Sequence, residues 1–195
     1  MAIDTSRIMS ENIILIDSTY TDKVAFDLSV NFERMIGRRI PKADLAHWLD
    51  CIALDGGLTP GDNSIQVIFI HDKQSKELEN FTPGNFEKDI NGKAFKDNIG
   101  EFEMGAFPVE NSLTNDADFF LDMLQVLIDN ESVKKIMVIP NVTKYGNAVC
   151  NFLQKNKGKD ITLFAMEPQM GTGFNQQIIG YSLMSALGIR SEELR

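Results

Sequence analysis

Two kinds of hydrophobic pattern alternate along the chain. One is the short, unbroken apolar run. Ile13-Ile14-Leu15-Ile16 is the first, and it runs straight into Asp17. A continuous β-branched run of this length predicts a strand buried on both faces, as in a parallel sheet. Residues 65–70 repeat the pattern and close on His71-Asp72, and residues 136–139 and 161–166 repeat it again. Residues 101–108 predict a further strand, placed at a sheet edge because it contains Gly105 and Pro108.

The other pattern is apolar recurrence at helical spacing. Leu45, Trp48, Leu49 and Ile52 follow Pro41 and stop at Gly56-Gly57. Phe119, Phe120, Met123, Leu124, Leu127 and Ile128 follow Asn115-Asp116, either of which suits an N-cap. Ala148, Val149, Phe152 and Leu153 mark a helix over residues 145–154. Ile178, Ile179, Tyr181, Leu183, Met184 and Leu187 mark the last one, which Gly171-Thr172-Gly173 precedes and Gly188 ends. Residues 24–32 fit both periods. The cationic stretch Arg34 to Arg39, with Gly37 inside it, resembles a helix end and favours the helix.

Strands alternating with helices predict an α/β protein: a single three-layer α/β/α domain over residues 1–195 with a mostly parallel five-stranded sheet. The order 3-2-1-4-5 places residues 12–17 at the centre. Residues 73–99, rich in Lys, Asn, Asp and Glu, are expected to form an irregular excursion from that domain.

Composition narrows the classes. The chain has 195 residues, 43% hydrophobic and 24% charged, which suits one globular domain. No apolar run approaches the ~18 residues of a membrane helix, so no membrane partner is expected. The polar first eleven residues carry no signal-peptide core, and the default location is the cytoplasm. Cys51 and Cys150 are the two cysteines, and without CxxC spacing they are expected to be reduced and buried. The net charge of -9 argues against broad, charge-driven binding to nucleic acid. It leaves room for a small site built around a divalent ion.

The candidate chemistry is acidic. Asp17, Asp72 and Glu167 end predicted strands, and Glu110, Asp116 and Asp118 follow residues 101–108. In a parallel sheet these ends share one rim, where converging carboxylates would hold a hard cation such as Mg²⁺ or Mn²⁺ and position a water. The same residues also have structural readings, Asp116 as an N-cap and Asp118 beside the helix dipole. Gly171, Thr172 and Gly173 before a helix could bind an anion through backbone N–H groups, although a plain turn explains them too. Arg34, Arg38, Arg39 and Lys42 form a local basic patch. His47 is expected on a solvated helix face. His71 borders the acidic rim, as a surface histidine or a general base. Ser18 and Cys51 have no adjacent base in the sequence, and no GxSxG or HExxH motif occurs.

Three stretches resemble the PIN-like superfamily, and within it the NYN domains. Ile14-Leu15-Ile16-Asp17 is similar to the opening strand with its metal-binding aspartate. Asn115-Asp116, with Asp122 further along the helix, is similar to the family's aspartates at the start of and within the helix before strand four. Residues 136–141, a helix and residues 161–164 are similar to the closing strand–helix–strand. The resemblance implies a metal-dependent ribonuclease in which Asp17 and Asp116 hold Mg²⁺ or Mn²⁺, Asp118 or Asp122 assists, and RNA is the partner. It breaks after strand four. Where NYN domains carry a serine-glycine-aspartate-glycine-aspartate run, this chain has Pro140-Asn141-Val142-Thr143-Lys144-Tyr145. The break implies a divergent nuclease or one that has lost catalysis. The chain as a whole also resembles an uncharacterised bacterial family, which lends no function. Two further readings stay open: a non-catalytic protein- or ligand-binding module, with a homo-oligomer possible, and a doubly wound fold binding a nucleotide or anion at residues 171–173.

Overall fold

The computed structural model describes residues 8, 10–110, 116–156 and 158–195, with Asp116 described by its backbone alone. The elements, in chain order, are β1 (Asn12–Asp17), α1 (Ser18–Ile36), β2 (Ala43–Asp44), α2 (Leu45–Asp55), β3 (Asn63–Asp72), β4 (Phe81–Thr82), β5 (Lys93–Lys96), β6 (Gly100–Val109), α3 (Asp116–Asp129), β7 (Lys135–Ile139), α4 (Val142–Lys155), β8 (Asp160–Ala165), β9 (Asn175–Ile178) and α5 (Ile179–Ala186).

β1 is the centre of the sheet. Its residues alternate between two buried faces, as the apolar run requires. Ile14 and Ile16 pack with Val24 of α1, Trp48 and Ile52 of α2 and Leu183 of α5. Ile13 and Leu15 pack with Phe120 and Leu124 of α3 and Val149 and Leu153 of α4. The result is three layers, with α1, α2 and α5 on one face and α3 and α4 on the other.

The sheet has seven strands in the order β5-β6-β3-β1-β7-β8-β9, with β5 antiparallel and the rest parallel. The five expected strands stand in the expected order; the count of five is corrected by one short strand at each edge. β5 and β9 carry Lys93-Ala94-Phe95-Lys96 and Asn175-Gln176-Gln177-Ile178. Edge strands need to bury only part of one face, so neither shows a continuous apolar run. β5 also takes the outer edge from β6, along residues 101–104 only, and Pro108 lies beyond it.

Residues 24–32 are helical, inside α1, which Asp17 caps at its start and Gly37 at its end with φ 75°. Residues 73–99 are more ordered than expected. The Asp22 carboxylate accepts the backbone N–H groups of Glu79 and Asn80, at 3.1 and 2.8 Å. β4 then pairs with β2, and a π-helical turn, Phe86–Ile90, leads into β5. Polar residues in this stretch satisfy its backbone, which is why its composition looks like a loop.

Candidate functional site

The connections diverge at β1. The chain leaves it by α1 and α2 to reach β3, and returns by α3 across the opposite face to reach β7 on its other side. Two loops that part in this way leave a crevice at the carboxyl ends of the strands, the usual ligand position in open α/β sheets. Here the crevice has two adjoining lobes, of about 220 and about 430 Å³, which share Thr19, Asn141 and Lys144.

Local sequence builds the walls. β1 passes into α1 without a loop because Asp17 is both the last strand residue and the helix cap. Its Oδ1 accepts the Tyr20 N–H at 3.1 Å. On the facing wall Asn141 caps α4, its Oδ1 accepting the Lys144 N–H at 3.0 Å. Tyr145 then departs from helical geometry, with φ -141° and ψ 28°, so the first turn of α4 is offset from the rest. Its ring is buried against Phe120, 5.5 Å between centroids, and its hydroxyl donates to Asp17 Oδ2 at 2.5 Å. Both carboxylate oxygens of Asp17 therefore hold structural donors, and β1 and α4 are tied together across the crevice.

In the smaller lobe Asp17, Asp72, Asn141, Lys144 and His71 line the space. Asp72 also accepts the Gln74 N–H at 2.9 Å. His71 is not the surface histidine expected. It is 8% exposed and stacks on Phe86 with centroids 3.8 Å apart. Its Nδ1 lies 2.9 Å from the Asp72 carbonyl oxygen, so Nδ1 carries the proton. Burial pushes its pKa below the ordinary histidine value, which keeps the ring neutral. In the larger lobe the hydroxyl of the buried Tyr20 bonds to Thr143, and burial, more than the nearby Asp17 and Glu167, raises its pKa. Lys23 pairs with Asp27 at 2.7 Å, and Glu167 stands at the far end.

The predicted acidic set is only partly gathered. Asp17 and Asp72 share the smaller lobe and Glu167 lies in the larger one. Glu110 pairs with Lys73 at 2.5 Å. Asp118 and Asp122 are exposed on α3. Asn115 and the Asp116 side chain lie outside the described residues. Among the described residues, no three His, Cys, Asp or Glu side chains are grouped to hold a metal ion. The donor set of the crevice fits a hard cation poorly, because Asp17 already accepts two hydrogen bonds and the Lys144 cation lines the same lobe.

Gly171, Thr172 and Gly173 need a correction. They lead into β9, not into α5, and Gly171 and Gly173 hold φ values of 136° and 89° that suit a turn. The helix start that would have cradled an anion is absent there. The basic patch is also accounted for in part. Arg38 grips the Glu193 carboxylate with Nε and a terminal nitrogen at 2.6 and 2.9 Å, clasping the C-terminal 3₁₀ turn to the end of α1.

Sequence reasoning named Asp17, Asp72 and Glu167 and met Asn141 and Lys144 only in the stretch where the resemblance to NYN domains breaks. It missed Thr19, Tyr20, Thr143 and Tyr145. An N-cap asparagine after a buried strand is the signal that could have found the α4 wall. Nothing local announces Tyr145 as the partner of Asp17, 128 residues away.

A family model described as a family of unknown function (DUF6621) matches residues 6–194. No curated protein and no solved structure matches the chain. No helix among the described residues is long and apolar enough to cross a membrane. The match spans nearly the whole chain, including every strand of the sheet and both walls of the crevice, and the chain belongs to the DUF6621 family.

Proposed function

We propose that this protein is a doubly wound α/β binding domain whose switch-point crevice takes a small, hydroxyl-rich ligand carrying a single phosphate group, of the nucleoside monophosphate or sugar phosphate class. The observation that carries the reading is the crevice itself, placed where the connections from β1 part and lined by hydrogen-bonding side chains, with Lys144 at the junction of its two lobes. Lys144, on the first turn of α4, is the group to meet the anion, assisted by the positive end of the α4 dipole. Asp72, Glu167 and the accessible edge of Asp17 are acceptors for ligand hydroxyls. Thr19, Thr143 and Asn141 suit either end of such a ligand. The flanking carboxylates disfavour a polyanion, so a single phosphate or carboxylate suits the site better than a nucleic acid strand.

The experiment is a melting-temperature screen against nucleoside monophosphates and sugar phosphates, because a ligand that binds only the folded state stabilises it by mass action. The wild type is expected to be stabilised by at least one member, and Lys144→Ala to lose that stabilisation. A flat screen with the wild type removes the reading.

A second reading keeps the PIN-like, NYN-like resemblance, with Asp17 and Asp116 holding Mg²⁺ or Mn²⁺, Asp118 or Asp122 assisting, and RNA as substrate. The position of Asp17 at the carboxyl end of the central strand supports it. The hydrogen bonds on both Asp17 oxygens and the presence of Lys144 weigh against it. Mn²⁺ in the same screen separates the two, since a Mn²⁺-dependent rise in melting temperature that disappears in Asp17→Asn favours the metal reading.

A further inference from the structure

We propose that His47 and Cys51, on the flank of α2 that faces α5, form a binding site for one thiophilic divalent cation of the zinc type. The sequence alone showed no base beside Cys51. In the folded chain the two residues stand four apart on one helix face, one turn above the other. His47 Nε2 and Cys51 Sγ are 3.8 Å apart. Two donors on one tetrahedral zinc ion, with bonds of about 2.0 Å to nitrogen and about 2.3 Å to sulfur, stand about 3.5 Å apart. The pair is therefore close to chelating distance with both side chains where they are.

Ser185 of α5 marks the place of the ion. Its Oγ lies 2.7 Å from His47 Nε2, and its hydroxyl also bonds to the Cys51 sulfur. A small polar atom already sits against both donors. Ser185 is exposed, and rotation about one torsion moves its hydroxyl aside. The surroundings suit a cation. Asp55, and Asp50 when ionised, lie close enough to Cys51 to act on its charge.

A thiol–imidazole nucleophile is the competing use of the same atoms. Burial pushes the Cys51 thiol above the ordinary cysteine value, which disfavours a resting thiolate. A soft cation overcomes that cost by replacing the proton, which leaves to solvent as the metal–sulfur bond forms. Among the described residues no third His, Cys, Asp or Glu completes the set. The remaining positions are filled by water, and the site is weaker than a four-ligand structural zinc centre.

Co²⁺ is the probe, because cobalt bound to a thiolate absorbs in the near ultraviolet through charge transfer. The full chain is expected to show this band on titration with excess Co²⁺, saturating at one site per chain, and competing Zn²⁺ to abolish it. Cys51→Ser should remove the band, and His47→Gln, at an exposed position, should weaken binding without harming the fold. Ser185→Ala should tighten binding by clearing the ion's place. Cys150→Ser and Asp17→Asn should leave it unchanged, which separates this site from the buried thiol and from the crevice. Absence of the band in the wild type, or its survival in Cys51→Ser, overturns the proposal.

Discussion

Two aspartates at opposite ends of the sheet meet different fates. Asp17, at the carboxyl rim, receives the Tyr20 N–H on one oxygen and the Tyr145 hydroxyl on the other. Asp50, on α2, packs instead beside Asp97, whose carboxylate already takes the Ile99 N–H at 2.8 Å ahead of β6. One oxygen of Asp50 is buried with no hydrogen-bond partner. Loss of solvent and then the neighbouring Asp97 push its pKa up to about 7. Donors, not burial alone, decide whether a carboxylate is at home in a fold. Asp17 organises the crevice because two elements aim donors at it, whereas Asp50 is tolerated best as the neutral acid.

The contrast can be broken by mutation, and the largest effect belongs to Asp17. Asp17→Ala removes an N-cap and strands a buried tyrosine hydroxyl. It should cost about 2–4 kcal/mol in urea unfolding, from a cap contribution near 1 and a buried unsatisfied group of about 1–3. Asp17→Asn keeps an acceptor for the Tyr20 N–H and should cost less. Tyr145→Phe comes next, at about 1 kcal/mol, because it removes the donor while retaining the ring's packing. If Tyr145→Phe matched Asp17→Ala, the cap would contribute nothing and the tie across the crevice would be the whole effect.

Asp50 has a signature in pH. Its folded pKa, about 7, lies above the unfolded value of 3.8. The stability it contributes is fully present below about pH 4 and is lost as pH rises through about 7. Asp50→Asn should remove that fall, so its melting temperature overtakes that of the wild type at neutral to alkaline pH. A wild-type profile parallel to that of Asp50→Asn across this window would contradict the pairing with Asp97.

The smallest effect is at Glu193, whose pKa the Arg38 guanidinium lowers to about 2 from an ordinary 4.5. Its sign is opposite. The clasp is present above about pH 4.5 and is lost as pH falls toward 2, so Glu193→Gln should flatten the acid limb of the profile slightly.

Legibility in the sequence followed the same physics. β1 was legible because burial on both faces leaves an unbroken apolar run, and its central place followed from the long connection after residue 70 and the βα units of the second half. The edges were not, because Lys93–Lys96 and Asn175–Ile178 bury too little to show a pattern. Missing β9 in turn made Gly171-Thr172-Gly173 look like a helix entrance. Asp17 was legible as a position but not as a role. Its hydrogen bond to Tyr145 spans 128 residues, and only the sheet order brings the two together. The His47–Ser185 contact, across α2 and α5, was hidden for the same reason.

The central claim is that the crevice between β1 and α4 is a ligand site organised by Lys144 against the Asp17 wall. The most direct test is calorimetric titration of a nucleoside monophosphate into the wild type, Lys144→Ala and Asp17→Asn. Saturable binding at one site per chain is expected in the wild type, lost in Lys144→Ala and weakened in Asp17→Asn. Binding of equal strength in Lys144→Ala, or none in the wild type, would contradict the account.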